Sequence, residues 1–367
     1  MNRIILLKAF DRFVGAGLVR LFAKPRKREA GSINSFLVIR PGGIGDAVLL
    51  APMLMLLKSA YPKADLAVLA ERRNAAVFEL VPSVDRVMRY DVPCELLTAL
   101  SGCYDAVIDT EQSHRLSAII ARLTGAPMTV GFATNEREKL FSCLVAYAHE
   151  TYEIESFLDM LSPFDIGVHF AGPPFLSLPH EVVRWGRQLL KKLEIPGFIA
   201  IFPGASIDER KWGVKNYLQL VQRLSNRGIE TVVVGGSEDA LSGKEIVSGN
   251  GGLSLAGQTS LAETAAIVAQ SSLLVSGDSG ILHIAVGLGV PTVSLFGPGR
   301  AKKWAPHGDN HIVINKNLPC SPCTTFGYTP RCPINARCMA EITVDEVEEA
   351  VLTLLSRKNF DVDQQKP

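Results

Sequence analysis

Four short segments of this chain carry residues able to do chemistry together. The first is Arg40-Pro-Gly-Gly-Ile-Gly-Asp46, which follows an apolar run and opens a helical pattern. Gly42, Gly43 and Gly45 permit close backbone approach, and Asp46 takes an N-cap or first-turn position. A carboxylate held there either caps the helix or takes a proton from a bound hydroxyl. The second segment, Phe202-Pro-Gly-Ala-Ser-Ile-Asp-Glu-Arg-Lys-Trp212, ends a strand in a glycine turn with a hydroxyl, Ser206, and two cations, Arg210 and Lys211. Those cations either neutralise a diphosphate or pair locally with Asp208 and Glu209.

The third segment is the most informative: Val275-Ser-Gly-Asp-Ser-Gly-Ile-Leu-His283. A buried strand runs into a turn at Gly277–Gly280 and a helix begins at once. Its free N–H groups and positive dipole end suit a phosphate. Ser279 adds a hydroxyl, Asp278 is suited to sugar hydroxyls beside the phosphate, and His283 lies one turn in. In the fourth, Glu238 follows the strand-like Val232-Val-Val-Gly-Gly-Ser, where an acid either accepts both ribose hydroxyls or sits in a helical first turn. None of these is a G-x-G-x-x-G or a P-loop, which argues against a dehydrogenase or an ATPase.

The elements that must position these residues follow from periodicity. From Ser35, short apolar runs alternate with helical stretches: SFLVIR, DLAVLA, DRVMRY and YDAVIDT as strands, and Asp46 to Lys58 as a helix. A proline- and glycine-rich stretch, 171–179, interrupts the rhythm and marks a linker. The alternation then resumes through GFIAIFPG, IETVVVGG, LSLAG, SLLVSGD and VPTVSLFGP, with helices between, and ends in a helix from Val344 to Ser356 expected to pack back on the first domain. Two doubly wound parallel-sheet α/β domains follow, with ligands outside the carboxyl ends of the strands and a cleft between the domains. The expected divisions are an extension over 1–32, a first domain over 33–172, a second over 173–345, and a closing helix and disordered tail over 346–367.

Composition is consistent with this. The chain has 367 residues, 47% hydrophobic and 20% charged, enough for two cores and unlike a disordered chain. A net charge of +1 excludes a generally basic nucleic-acid-coating protein. Residues 1–30 hold eight Lys or Arg and two acids, a net of +6, which leaves −5 for the rest. Lys8, Asp11, Arg12 and Gly15 share one side of a helix there, and Lys24, Arg26, Lys27 and Arg28 follow. This is the pattern of an anionic-membrane-surface anchor, or equally of a helix packed on the protein itself. Cys320, Cys323, Cys332 and Cys338 supply enough thiolate for a tetrahedral zinc site, or are reduced thiols of a long loop.

Taken in order, IRPGGIGDAVLLAP, FPGAS…KW, SGDSGILHIAVGLGVPTVSLFGP and PCSPC…CP…RC resemble the ADP-heptose:lipopolysaccharide heptosyltransferases, the family-nine glycosyltransferases, over roughly residues 33–355. The resemblance implies a GT-B fold of two Rossmann-like domains, with the acceptor on the first and the nucleotide sugar on the second. It also implies inversion at the anomeric carbon, no required metal or cofactor, and an ADP-sugar as donor. Matched to the family's motifs, Asp46 is the base, beside the acceptor-side loop Gly42, Gly43 and Gly45. Ser206, Glu238, Thr259, Asp278, Ser279, Gly280 and His283 hold the donor, with a cation from Arg210 or Lys211. The implied acceptor is a glycolipid, the inner core of lipopolysaccharide, met at the cytoplasmic face of the inner membrane. Another nucleotide sugar, another envelope polysaccharide, or a non-catalytic nucleotide-sugar-binding protein would use the same fold. The chain departs from the family's Lys-x-Trp-Pro: Arg210 stands at the lysine position and Gly213 at the proline position.

Overall fold

A computed structural model describes residues 11, 15–22, 31–249, 251–325 and 328–364. The chain divides into two compact units, residues 1–171 and 172–367. The basic cluster Lys24, Arg26, Lys27 and Arg28, together with Lys8 and Arg12, lies outside the described residues.

The first unit is built on a six-stranded sheet of β1 (Ser35–Ile39), β2 (Asp65–Ala70), β3 (Arg86–Arg89), β4 (Ala106–Asp109), β5 (Met128–Phe132) and β6 (Cys143–Val145). The order is β3-β2-β1-β4-β5-β6, and every neighbouring pair is parallel. A parallel sheet hides both faces, which explains why β4 and β5 are buried at every position. Strand order reverses between β1 and β4, so the loops leaving their carboxyl ends splay apart and leave room for a ligand.

Helix α1 (Ala16–Leu21) belongs to the extension, and α2 (Ile44–Leu49) and α3 (Ala51–Ala60) follow β1. The sequence pattern suggested one helix across α2 and α3. Pro52 lacks the N–H that would continue the ladder, and the helix breaks at Leu50. Helix α4 (Arg115–Leu123) follows β4, and α5 (Glu153–Asp159) closes the unit.

The second unit repeats the plan. After helix α6 (His180–Lys192) come β7 (Ile199–Phe202), α7 (Val214–Ser225), β8 (Thr231–Val233), β9 (Leu253–Ser254), α8 (Leu261–Val268), β10 (Leu274–Gly277), α9 (Gly280–Gly287), β11 (Thr292–Phe296) and β12 (His311–Asn315). The order β12-β11-β10-β7-β8-β9, again all parallel, puts the reversal between β7 and β10.

The sequence suggested that the closing helix α10 (Val344–Gln364) packs on the first domain; its apolar residues instead build the core of its own unit. Val344, Val347, Ala350, Val351 and Leu354 join Tyr217, Leu220, Val221 and Leu224 of α7 in the second unit's own core. The helix also runs into the stretch expected to be disordered, ending at Gln364.

Candidate functional site

At the first reversal, β1 delivers Arg40 and β4 delivers Thr110 and Glu111. Arg40 is 1% exposed. Its guanidinium donates Nε to Pro41 O at 2.7 Å, Nη1 to Thr110 O at 2.8 Å and Nη2 to Glu111 Oε2 at 3.4 Å. The same Nη2 stands 3.8 Å from Asp46 Oδ2. Gly42 has φ +109°, and a Cβ there would lie 3.2 Å from Arg40 Nη2, so a side chain would crowd the guanidinium. Its N–H donates to Glu71 Oε2 at 3.2 Å. Gly43 is the N-cap of α2, Gly45 is its second residue and Asp46 its third, with the carboxylate 28% exposed. Asp46 is therefore a first-turn acid at the helix's positive end, open to solvent on one side and near a buried cation on the other.

A second buried cation backs the first. Arg137 is fully buried; it donates to Glu111 O and is ion-paired with Asp109. Burial pushes Asp109 up against the pull of Arg137. Glu111 is held below its ordinary value: burial opposes this, but His114, Arg40 and Arg137 together outweigh it. Its Oε1 also accepts the N–H of Ser113 at 3.1 Å. Tyr147 donates to Glu153 Oε2 at 3.1 Å, and its hydroxyl is pushed up by burial, then by Glu153, then by Asp46.

In the second unit all donor-side candidates lie on segments leaving the carboxyl ends of β7 to β10. After β7, Ser206 is exposed, and the 3₁₀ turn Asp208–Arg210 aims the two cations differently. Arg210 Nη1 reaches Asp278 Oδ2 at 3.2 Å, with both side chains largely buried. Lys211 turns outward to Asp208 Oδ1 at 2.7 Å. The turn is anchored by Trp212, whose indole donates to Ile342 O at 2.8 Å and whose ring meets Tyr217 edge-on. Trp212 is thus a core residue that fixes where Arg210 stands.

After β10, Gly277 passes so close to the turn that a Cβ would come 3.1 Å from Arg210 O. Ser279 is the N-cap of α9. Its hydroxyl accepts Leu282 N–H at 3.2 Å and bonds the Ser276 hydroxyl at 2.8 Å. Ser276 in turn lies 2.9 Å from Gly277 O, to which it donates. The Ser279 hydroxyl is therefore engaged in shaping the helix start, and the first-turn backbone N–H groups beginning at Gly280 are what α9 can offer an anion. His283, four residues into the segment, is 2% exposed.

After β8, Glu238 is exposed and its carboxylate overlies Gly236. The neighbouring Asp239, which the sequence reading passed over, is buried and accepts Gly236 N–H at 3.0 Å. A Cβ at Gly204 would come 2.5 Å from Asp239 Oδ1, so this carboxylate ties the β7 and β8 loops together. After β9, Thr259 shares a hydrogen bond with Thr264 at 2.7 Å, ahead of the α8 capping box Ser260–Glu263.

The four cysteines converge. Cys320, Cys323, Cys332 and Cys338 line one cavity of about 20 Å³ beside Pro298 and Glu209, and all are free thiols. Among the described residues, no three ligating side chains are gathered as a metal site. Nor is any described helix long and apolar enough to cross a membrane.

Residues 94–329 match the model of glycosyltransferase family 9 (heptosyltransferase). This chain belongs to that family. It is a glycosyltransferase of the heptosyltransferase type that the family model describes. It is 25% identical over 304 residues to lipopolysaccharide heptosyltransferase 2 of Salmonella typhimurium, covering 76% of this chain and 87% of that one. Its fold is similar to the E. coli ADP-heptose lps heptosyltransferase II structure, with TM-score 0.71, 22% identity and coverage of 89% and 99%. It is also similar to E. coli heptosyltransferase WaaC with ADP-2-deoxy-2-fluoro heptose, with TM-score 0.67, 18% identity and coverage of 87% and 99%. The two parallel sheets are those of a GT-B glycosyltransferase.

Proposed function

We propose that this family-nine enzyme transfers heptose from ADP-heptose to the inner core of lipopolysaccharide with inversion, using Asp46 as the base. One observation carries the donor half of this reading: Arg210 and Asp278 meet beside the amino end of α9, at the strand-order reversal of one sheet. A diphosphate seated there meets the free N–H groups of α9 and the Arg210 guanidinium, while Asp278 and Glu238 are acceptors for sugar and ribose hydroxyls. Ser206 and Thr259 lie on the same set of loops, and His283 lies in the first turn of α9. The names of the relatives support heptose as the sugar and lipopolysaccharide as the acceptor.

In this reading an acceptor hydroxyl loses its proton to Asp46. Its oxygen attacks the anomeric carbon, the bond from that carbon to the diphosphate oxygen breaks, and ADP departs. Charge growing on the diphosphate is met by protein groups. Pre-aimed donors of this kind are worth about 3–4 kcal/mol each when removed, and a positioned base about 10²–10⁴-fold. The acceptor is a glycolipid at the inner face of the inner membrane, which the enzyme reaches as a peripheral protein.

The test is Asp46→Asn, assayed with a panel of nucleotide sugars for donor binding and for turnover. Donor binding within about twofold of wild type with turnover reduced at least 10²-fold supports the base. Full turnover removes Asp46 from the chemistry. A different nucleotide sugar turned over in preference to ADP-heptose replaces the donor.

A further inference from the structure

Arg40 Nη2 lies between two carboxylates, 3.4 Å from Glu111 Oε2 and 3.8 Å from Asp46 Oδ2. The guanidinium cannot wander: Nε and Nη1 are spent on the backbone carbonyls of Pro41 and Thr110, and its face lies over the Phe157 ring at 5.5 Å. Glu111 is equally fixed by the N–H of Ser113, and its backbone oxygen is held by Arg137. One buried positive charge is therefore divided between an immobile carboxylate and a solvent-facing one.

We propose that Arg40 and Glu111 act as a pair of positioning residues that sets the basicity of Asp46. This rests on the reading of Asp46 as the base. At 3.8 Å the guanidinium favours the ionised carboxylate without the tight bond that would block a lone pair. Glu111, competing for the same Nη2, weakens that pull and keeps Asp46 basic enough to accept a proton. Among the described residues, the other charged and titratable groups on the surrounding elements are Arg137 with Asp109, which back Glu111, Tyr147 and Glu153, Glu155 and Asp159 of α5, Glu71 and Arg73 after β2, Glu79 of the 75–80 turn, and His114 beside Glu111. Tyr147 also feels both Asp46 and Arg40, but Glu111 is the carboxylate that shares Arg40 Nη2 with Asp46 in an ion pair.

The two residues then act in opposite directions, which a merely structural role does not produce. In Glu111→Gln the undivided Arg40 charge bears on Asp46, and the acid limb of the pH profile of kcat/KM moves down by about one pH unit. In Arg40→Gln the cation is gone and Glu111 repels Asp46, so the limb moves up by about one unit. Arg40→Lys restores the charge and brings the limb back toward wild type; it serves if Arg40→Gln does not fold. Donor KM at the pH optimum stays within about twofold in each, because these residues do not hold the donor.

Shifts of opposite sign, with lysine rescue, support the pair. Limbs that stay put, or that move the same way, overturn it. The outcome is separable from that of the base reading. If Asp46→Asn is inactive while the limbs do not move, only the Arg40–Glu111 pair falls. If Asp46→Asn keeps full turnover, both fall.

Discussion

Arg210 and Lys211 are adjacent cations that the fold sends to different duties. Arg210 is directed inward to Asp278, beside the start of α9, while Lys211 projects to the exposed Asp208. An exposed lysine pair contributes little, because water and salt screen it. A guanidinium at a part-buried diphosphate makes charge-assisted bonds that contribute more. Arg210→Ala is therefore expected to raise donor KM about 10–100-fold, and Lys211→Ala to change it less than about twofold. Arg210→Lys separates charge from geometry: it keeps the cation but loses the fork that pairs with Asp278. Isothermal titration with ADP, together with donor KM, reads all three. Equal losses at the two positions would reject this division of labour.

The same comparison shows what the sequence did and did not disclose about the site. As candidates, Asp46, Asp278 and the helix start at Gly280 were legible because each sits in a strand–glycine–helix punctuation. Glu111, Arg137 and Asp239 were not. Their importance comes from burial and from partners on neighbouring strands, and a charged residue in a string of letters reads as a solvated one. Arg40 stood in the first motif but had no visible role. The available signal was that Arg40 directly follows β1 and Glu111 lies two residues past β4, the two strands that flank a strand-order reversal.

Among the elements, β1, β2, β7, β10 and β11 were marked by continuous apolar runs. β5 and β12 were harder to see. Met128–Phe132 contains Gly131, whose missing side chain makes room for the Phe141 ring, a purely tertiary reason for a glycine in a strand. His311–Asn315 is an edge strand, half-buried throughout and without strong alternation.

The N-terminal extension shows the same limit. Its polar side, read as facing lipid or the protein, uses two of its members inward. Asp11 is 4% exposed and accepts the N–H of Arg115 at 2.7 Å and of Leu116 at 2.8 Å, capping α4 from about a hundred residues away. Gly15 admits the Arg115 side chain, a Cβ there coming 3.1 Å from Arg115 Cβ. Lost caps cost about 0.5–2 kcal/mol, so Asp11→Ala should lower the stability of the first unit by about 1 kcal/mol at pH 7. Asp11 is held below its ordinary value. Burial acts the other way, but the bond to His114 and the N–H groups of Leu116 and Arg115 prevail. A depressed acid contributes its stability above its unfolded value and loses it as pH falls through the folded one. The gap between wild type and Asp11→Ala in urea denaturation should therefore close below about pH 4. A gap that persists unchanged to pH 2.5 would mean that packing at Gly15, not the carboxylate, holds the extension.

At the scale of the molecule, one plan is used twice. Each six-stranded parallel sheet reverses its strand order between its first and fourth strands, and each reversal carries an arginine paired with an acid. In the first unit the arginine is buried and the solvent-facing group is a carboxylate, Asp46. In the second, the arginine stands beside a helix amino end suited to an anion. On the proposed reading the two pairs serve opposite partners, a hydroxyl that must lose a proton and a diphosphate that must gain stabilisation. A nucleotide should distinguish them. ADP at a hundredfold its Kd should stabilise what it binds by about 2.7 kcal/mol. Hydrogen exchange on the full chain should show protection at residues 203–212, 235–239, 257–260 and 278–283, which leave the carboxyl ends of β7 to β10. Local opening there must now be coupled to loss of ligand. Direct protection by the nucleotide is not expected at 40–46 and 110–114. If ADP instead slowed exchange at those residues and left the loops of the second sheet unchanged, the nucleotide would belong to the first unit, and the roles proposed for Asp46 and Arg210 would both fall.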